Sequence, residues 1–120
     1  MNHRPNILIL MPDQLRADSL RCAGNQLVRT PYIDRLAQEG ILFSQAVTVS
    51  PVCMPARASF NNGLYPHNHN IWANTGEMRL DDETFFKRLL MEGYNTALIG
   101  KAHVYEHVND TLPVHPHGRC

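Results

Sequence analysis

Residues 6–11 have the sequence NILILM and lead into the polar pair Asp13 and Gln14. A short, continuously apolar run of this kind is typical of a strand that is buried on both faces, as in parallel sheets. Two later segments carry comparable signals: residues 41–49 alternate apolar and polar side chains, and residues 94–100 (YNTALIG) are again mostly apolar. The sequence therefore predicts three strands.

Helical patterns separate these predicted strands. Thr30 and Pro31 supply an N-cap and a first-turn proline, and the apolar residues after them have helical spacing up to Gly40, which predicts a helix. A second helix is predicted over residues 55–62, with a proline in its first position, and a third over residues 81–93, where acidic residues precede an apolar stripe. The remaining segments are predicted as loops: residues 50–54 and 64–79.

Strands that alternate with helices indicate an α/β fold in which helices cover a mostly parallel sheet. Three strands do not complete such a sheet, because one edge stays unpaired. From residue 101 onward the core pattern fades, and residues 104–120 are predicted to be an irregular tail. We therefore expect one domain, and we interpret it as the N-terminal part of a longer fold.

Composition excludes several classes of protein. The chain has 120 residues, with 11 Lys+Arg against 11 Asp+Glu, so no net charge favours nucleic acid or an anionic membrane surface. Apolar runs such as residues 7–12 fall far short of the ~20 residues that a membrane-spanning helix needs. The start of the chain resembles no secretory signal. The three cysteines, Cys22, Cys53 and Cys120, form no disulfide framework, and we expect a cytoplasmic location.

Chemically active side chains follow each predicted strand. Asp13 and Gln14 follow the first, Cys53 follows the second, and Lys101 and His103 follow the third. Because ligand sites in parallel sheets lie beyond the carboxyl ends of the strands, we expect these groups to share one rim. Carboxylate and amide oxygens suit Ca²⁺ or Mg²⁺, and a helix N-terminus with nearby cations suits an anion. The pattern favours chemistry on a tetrahedral anion.

A family resemblance rests on residues 53–57 (CMPAR), which match C-x-P-x-R, the core of the type I sulfatase signature. Three flanking segments resemble the same family in the same order: NILILMPDQ (6–14), TPYIDRLAQEGILFSQAV (30–47) and GYNTALIGKAH (93–103). The chain thus resembles formylglycine-dependent sulfatases of the alkaline-phosphatase-like superfamily over residues 6–103. The resemblance implies that residues 1–103 are the N-terminal part of a catalytic domain with a mostly parallel, helix-flanked sheet.

The resemblance also implies a mechanism. A maturation enzyme, either formylglycine-generating or anaerobic, would convert Cys53 to formylglycine. The hydrated aldehyde would attack the sulfur of a small sulfate ester and expel the alcohol, and loss of sulfate would restore the aldehyde. Arg57 would fix the diol, His103 would assist proton removal, and Lys101 would bridge nucleophile and sulfate.

The family's metal site and substrate contacts map onto further positions. Asp13, Gln14 and the modified Cys53 would be ligands of a divalent metal, for which Ca²⁺ is expected first and Mg²⁺ or Mn²⁺ are alternatives. Asn74 resembles a substrate-contacting asparagine of the choline-sulfatase and phosphonate-hydrolase branch, and a solvated loop residue is the alternative. The family's remaining ligands lie farther downstream, so we expect no turnover from these 120 residues alone.

Two other functions stay open at this point. The same superfamily contains phosphonate monoester and phosphodiester hydrolases, whose sequences resemble Gly-Tyr-x-Thr at the positions of residues 100–103. In this chain residues 100–103 are GKAH, so Lys101 and His103 favour a sulfate ester as the substrate. A non-catalytic remnant is the third hypothesis, and it predicts an unmodified Cys53. Several other residues are predicted to be solvated or incidental: His67, His69, His107, His115, His117, Cys22 and Cys120.

Overall fold

The computed structural model describes residues 4–104 of the chain. Its helices are α1 (Pro31–Glu39), α2 (Cys53–Asn62), α3 (Pro66–His69) and α4 (Phe85–Met91), and two single 3₁₀ turns precede them at Ala17–Ser19 and Arg21–Ala23. The chain divides into two compact units, Met1–Ala46 and Val47–Cys120. Several residues with a sequence prediction lie outside the described residues: His107, His115, His117 and Cys120, together with nearly all of the predicted tail.

The first unit contains α1, which confirms the helix predicted between Thr30 and Gly40. Its N-terminus is held by side chains rather than by a simple cap. The Thr30 hydroxyl donates to Asp34 at 2.9 Å and accepts from the Arg21 backbone N–H at 3.1 Å. Asp34 also accepts from the Cys22 N–H at 2.9 Å. These bonds tie the second 3₁₀ turn to the first turn of α1 and satisfy backbone donors there.

Helix α2 begins at Cys53, two residues before the predicted start at Pro55, so the prediction that residues 50–54 form a loop is wrong at its end. The first helical hydrogen bond runs from the Ala56 N–H to the Val52 carbonyl at 3.1 Å. The first-turn N–H groups of a helix have no partner inside the helix, so proline is tolerated anywhere in that turn. At the other end Gly63 adopts a left-handed conformation (φ 71°), as its missing side chain allows.

Two differences follow within the second unit. Helix α3 lies inside residues 64–79, which were predicted as loop, and it starts with Pro66 and ends at the left-handed Asn70. Helix α4 starts later than predicted, because the hydroxyl of Thr84 accepts from the Lys87 N–H at 3.2 Å and caps the helix there. The acidic residues therefore precede the helix instead of filling its first turn.

The predicted sheet is not formed within residues 4–104, where the structure contains no strand. This corrects the strands predicted at residues 6–11, 41–49 and 94–100. A strand exists only through hydrogen bonds to a neighbouring strand, and an apolar pattern specifies a tendency without specifying the partner. Many apolar side chains of these segments are exposed: Ile7, Leu8, Ile9, Leu10, Met11, Ile41, Leu42, Phe43, Val47, Val49 and Ile99.

The second unit has a small core around α2. It consists of Met54, Ala58, Ile71, Met78 and Val104, all buried, and Ala102 packs against it. Helix α2 also contacts α3 and α4. A backbone bond from the Met78 N–H to the Val104 carbonyl, 2.8 Å long, closes the core on one side. Val104, predicted as the first residue of the tail, is thus a core residue. None of the helices in the described segment is long and apolar enough to cross a membrane.

Candidate functional site

The candidate site is centred on the first turn of α2. This helix buries Met54 and Ala58, one turn apart, and this fixes its rotation. Cys53 and Arg57, also one turn apart, therefore lie together on a neighbouring, half-buried stripe. Cys53 is the first residue of the helix, where the positive end of the helix dipole favours negative charge.

Asn74 joins this turn from the segment between α3 and α4. Its side-chain oxygen accepts from the Cys53 thiol at 3.2 Å and from the Met54 backbone N–H at 3.1 Å. The Met54 N–H is a donor only, so the atom that faces it must be the amide oxygen. Asn74 thus caps the N-terminus of α2, although it lies 20 residues from Met54 along the chain. The residue is exposed, but its side-chain oxygen is held by these two hydrogen bonds.

Arg57 brings the third predicted segment to the same helix. Its Nη1 donates to the Lys101 backbone carbonyl at 3.0 Å, across 44 residues of chain. Gly100 before it has a φ of 101°, which a residue with a side chain rarely adopts. The structure therefore links Cys53, Arg57, Asn74 and the backbone of Lys101, which the sequence had placed in a predicted helix, a predicted loop and two predicted strand ends.

His103 lies between Lys101 and the buried Val104. It has a φ of 50°, a left-handed conformation that is uncommon outside glycine and that often marks functional positions. Its Nδ1 is buried and has no hydrogen-bond partner within the part of the chain that the structure describes. Buried polar atoms are normally paired, so this ring nitrogen is a candidate to bind a further group.

Asp13 and Gln14 lie in the first unit, Met1–Ala46. Gln14 also has a left-handed backbone (φ 56°). Their oxygens have the chemistry that hard cations prefer, but two ligands are fewer than the six or so oxygens of a Ca²⁺ or Mg²⁺ site. Residues 4–104 contain no group of three or more His, Cys, Asp or Glu side chains that could hold a metal. The described residues thus supply suitable donors without completing a metal site.

The sequence interpretation missed a pair of polar side chains behind the site. Ser59 Oγ on α2 lies 2.9 Å from His69 Nε2 at the end of α3, and His69 Nδ1 accepts from the Ile71 N–H at 3.1 Å. The prediction that His69 is a solvated loop histidine is therefore wrong. Burial lowers the pKa of its imidazole, because the charged form is less well solvated there. The one available signal was Pro66, which can start a helix.

Comparison with known families settles the relationship of this chain. The family model described as Sulfatase matches residues 5–116. The chain belongs to the sulfatase family. Human steryl-sulfatase is 42% identical over 112 residues, which is 84% of this chain and 19% of that protein. Other curated relatives also carry sulfatase names.

Two solved structures resemble this sulfatase-family chain in three dimensions. One is BT4656 in complex with its substrate D-glucosamine-2-N,6-O-disulfate, with a TM-score of 0.83, 36% identity, and coverage of 87% of this chain and 21% of that chain. The other is the phosphonate monoester hydrolase of Agrobacterium radiobacter, with a TM-score of 0.80, 32% identity, and coverage of 95% and 23%. The chain spans about a fifth of the length of the relatives it matches.

Proposed function

We propose that this chain is the nucleophile-bearing part of a sulfuric ester hydrolase that acts on small sulfate monoesters. The observation that carries the proposal is the arrangement at the start of α2, where the Asn74 oxygen contacts Cys53 and the Met54 N–H, and where Arg57, one turn later, donates to the Lys101 backbone carbonyl. A sulfate group carries negative charge, and the positive end of a helix dipole with an arginine one turn away attracts such charge. Membership of the sulfatase family supports the same reaction.

The proposed roles follow from position. Cys53, after conversion to formylglycine, is the nucleophile, and its place at the start of α2 puts it at the positive end of the helix dipole. Arg57 offers a planar fork of donors that suits two oxygens of a tetrahedral anion. Lys101, whose backbone carbonyl accepts from Arg57, is proposed to supply a second cation. His103 has an unpaired ring nitrogen among the described residues and would move the proton of the diol.

Sulfatases generally use a formylglycine and a divalent metal. For this chain we infer Asp13, Gln14 and the modified Cys53 as ligands and Ca²⁺ as the expected ion, with Mg²⁺ or Mn²⁺ as alternatives, because carboxylate and amide oxygens are hard donors. The metal would polarise the sulfate oxygens. The partners are a sulfate-ester substrate and a formylglycine-generating or anaerobic maturation enzyme. Free thiols at Cys22 and Cys53 favour a reducing, cytoplasmic location.

A second candidate is hydrolysis of a phosphonate monoester or phosphodiester. The resemblance to the Agrobacterium radiobacter phosphonate monoester hydrolase favours it. Lys101 and His103 favour a sulfate ester instead, because the phosphonate-hydrolase branch of the superfamily has a Gly-Tyr-x-Thr-like sequence at the positions of residues 100–103. The two candidate functions are distinguished by measuring kcat/KM of the complete protein, of which this chain is a part, on an aryl sulfate and on an aryl phosphonate. Sulfate hydrolysis should be faster by kcat/KM, and faster phosphonate cleavage would overturn the proposal.

The first experiment tests Cys53 itself. The chain is expressed in a host with a maturation enzyme and digested with trypsin, and the peptide 36–57, in which Cys53 is the single cysteine, is weighed. Conversion to formylglycine lowers its mass by about 18 Da, a covalent change that must be measured directly. A Cys53→Ala chain is the matched control. If Cys53 stays unmodified in that host, the nucleophile is missing and the non-catalytic remnant becomes the better description.

A further inference from the structure

The Ser59–His69 pair resembles a serine nucleophile with a histidine base, but its hydrogen bonds exclude that role. The Ile71 N–H points at His69 Nδ1, so Nδ1 carries no proton. A neutral imidazole has a single N–H, which must then be on Nε2 and must donate to Ser59 Oγ. A general base needs an unprotonated nitrogen facing the hydroxyl. His69 therefore holds Ser59 and cannot activate it.

This geometry connects α2 to the segment that carries Asn74. On one side of its ring His69 is bonded to α2, and on the other it fixes the backbone of Ile71. The Ile71 side chain is buried in the core with Met54. The Ile71 side chain also packs against the turn after Asn74. It lies so close to Gly76 that a Cβ at that position would come within 3.1 Å of Ile71 Cγ2.

We propose that His69 is a positioning residue which, through Ser59 and Ile71, holds the Asn74 amide oxygen against Cys53 and the N-terminus of α2. The proposal goes beyond the proposed function and rests on it only in taking Cys53 as the reacting position. In the neutral state described above, His69 offers one acceptor and one donor, and both are used. Removal of the imidazole releases Ile71, and the turn that bears Asn74 loses its support.

Protonation of His69 has the same consequence as removal. The imidazolium has a donor at both nitrogens, so its Nδ1 hydrogen faces the Ile71 N–H and the bond between them is lost. Among the neighbouring groups, Asp82 favours the protonated form by its charge and His67 opposes it, while burial opposes it most. The support of Asn74 is therefore expected to weaken in acid.

The test measures the reactivity of the Cys53 thiol in the full 120-residue chain, with Cys22 and Cys120 replaced by serine. In the parent, the thiol hydrogen of Cys53 is bonded to the Asn74 oxygen, and this contact shields the sulfur from the alkylating reagent. We expect His69→Ala to raise the alkylation rate by roughly 2- to 10-fold, the factor that corresponds to the net free energy of one hydrogen bond. Ser59→Ala should raise it in the same direction.

A conservative substitution at His69 distinguishes an effect of its hydrogen bonds from an effect of its side-chain volume. His69→Gln offers a carbonyl acceptor and an N–H donor without a titrating ring, and it should restore the slow rate. His67→Ala is the matched control, because His67 is an exposed histidine of the same helix. ¹⁵N NMR of the parent should show His69 protonated at Nε2 and unprotonated at Nδ1.

Several results would overturn the inference. One is an unchanged alkylation rate in the folded His69→Ala and Ser59→Ala chains while Asn74→Ala raises it. Another is an Nδ1–H tautomer by NMR. If His69→Ala does not fold, Ser59→Ala and His69→Gln decide the question by themselves. The readout uses the unmodified thiol, so it is independent of formylglycine formation and of sulfatase turnover, and the two proposals can fail separately.

Discussion

The side-chain oxygen of Asn74 lies 3.2 Å from the sulfur of Cys53 and accepts its thiol hydrogen. The same oxygen accepts the Met54 N–H, so one amide both caps α2 and touches the residue at its start. The Cys53 side chain and the backbone N–H of the next residue, Met54, are thus held by a single acceptor. Asn74 thereby links the stability of α2 to the geometry of the candidate site.

Asn74→Ala should lower the free energy of unfolding by about 1 kcal/mol, the usual contribution of an N-capping side chain. The lost acceptor leaves the Met54 N–H without its bond, while the backbone stays in place. Urea unfolding followed by circular dichroism measures the change. Asn68→Ala, at an exposed asparagine of α3, is the control. Equal stability of the two variants would mean that Asn74 does not cap α2.

Met54→Ala should lower the free energy of unfolding by about 2–5 kcal/mol, the range for deleting a buried Met, Leu or Ile side chain. Met54 is 2% exposed and lies at the centre of the core of the second unit. Met91→Ala removes the same atoms from a side chain that is 74% exposed, and we expect a change within about 0.5 kcal/mol. Similar losses in both variants would contradict the described core.

His69 should make stability depend on pH. Burial lowers its pKa in the folded chain, so the unfolded chain binds the proton at higher pH. The contribution of His69 is therefore complete above its unfolded pKa of about 6.5 and is lost as the pH falls through the lower folded pKa. The parent should lose more free energy of unfolding than His69→Gln between about pH 7 and pH 5.

His67→Gln is the control for that comparison, because it removes an exposed histidine from the same helix and keeps His69. Its pH profile should follow that of the parent except for the charge effect of His67 on His69, the smallest of the causes that shift the His69 pKa. A His69→Gln profile that also follows the parent would show that His69 does not titrate as its burial requires.

Lys101→Ala should lower the kcat of the natural protein on an aryl sulfate by about 10²- to 10³-fold, as expected when one transition-state donor is removed. The Lys101 backbone carbonyl, which receives Arg57, is retained in this variant. Lys87→Ala is the control: its ammonium donates to the Leu80 carbonyl at 2.8 Å, in the turn before α4. Loss of activity in Lys87→Ala alone would place the important cation elsewhere.

Local signals accounted for the helices best. Thr30, Pro31 and Gly40 predicted the bounds of α1 correctly, although the Thr30 side chain makes no capping bond and donates to Asp34 instead. The start of α2 was two residues off, because Pro55 is compatible with several first-turn positions. Helix α3 escaped because a single turn has no periodicity to detect.

The sequence by itself determined the residue types of the candidate site, since the C-x-P-x-R spacing and the GKAH segment need no folding to be seen. It also determined α1 and the presence of α2. The sequence did not determine whether the predicted strands pair, because an apolar run does not specify the neighbouring strand to which it must form hydrogen bonds.

Only the tertiary structure decided which residues meet. Asn74 reaches Cys53 across 21 residues, Arg57 reaches Lys101 across 44, and His69 reaches Ser59 across 10. Each of these contacts depends on how the segments pack around Met54 and Ala58. Hydrogen bonds between distant side chains leave no periodic trace in a sequence, because their partners are set by packing and not by spacing along the chain.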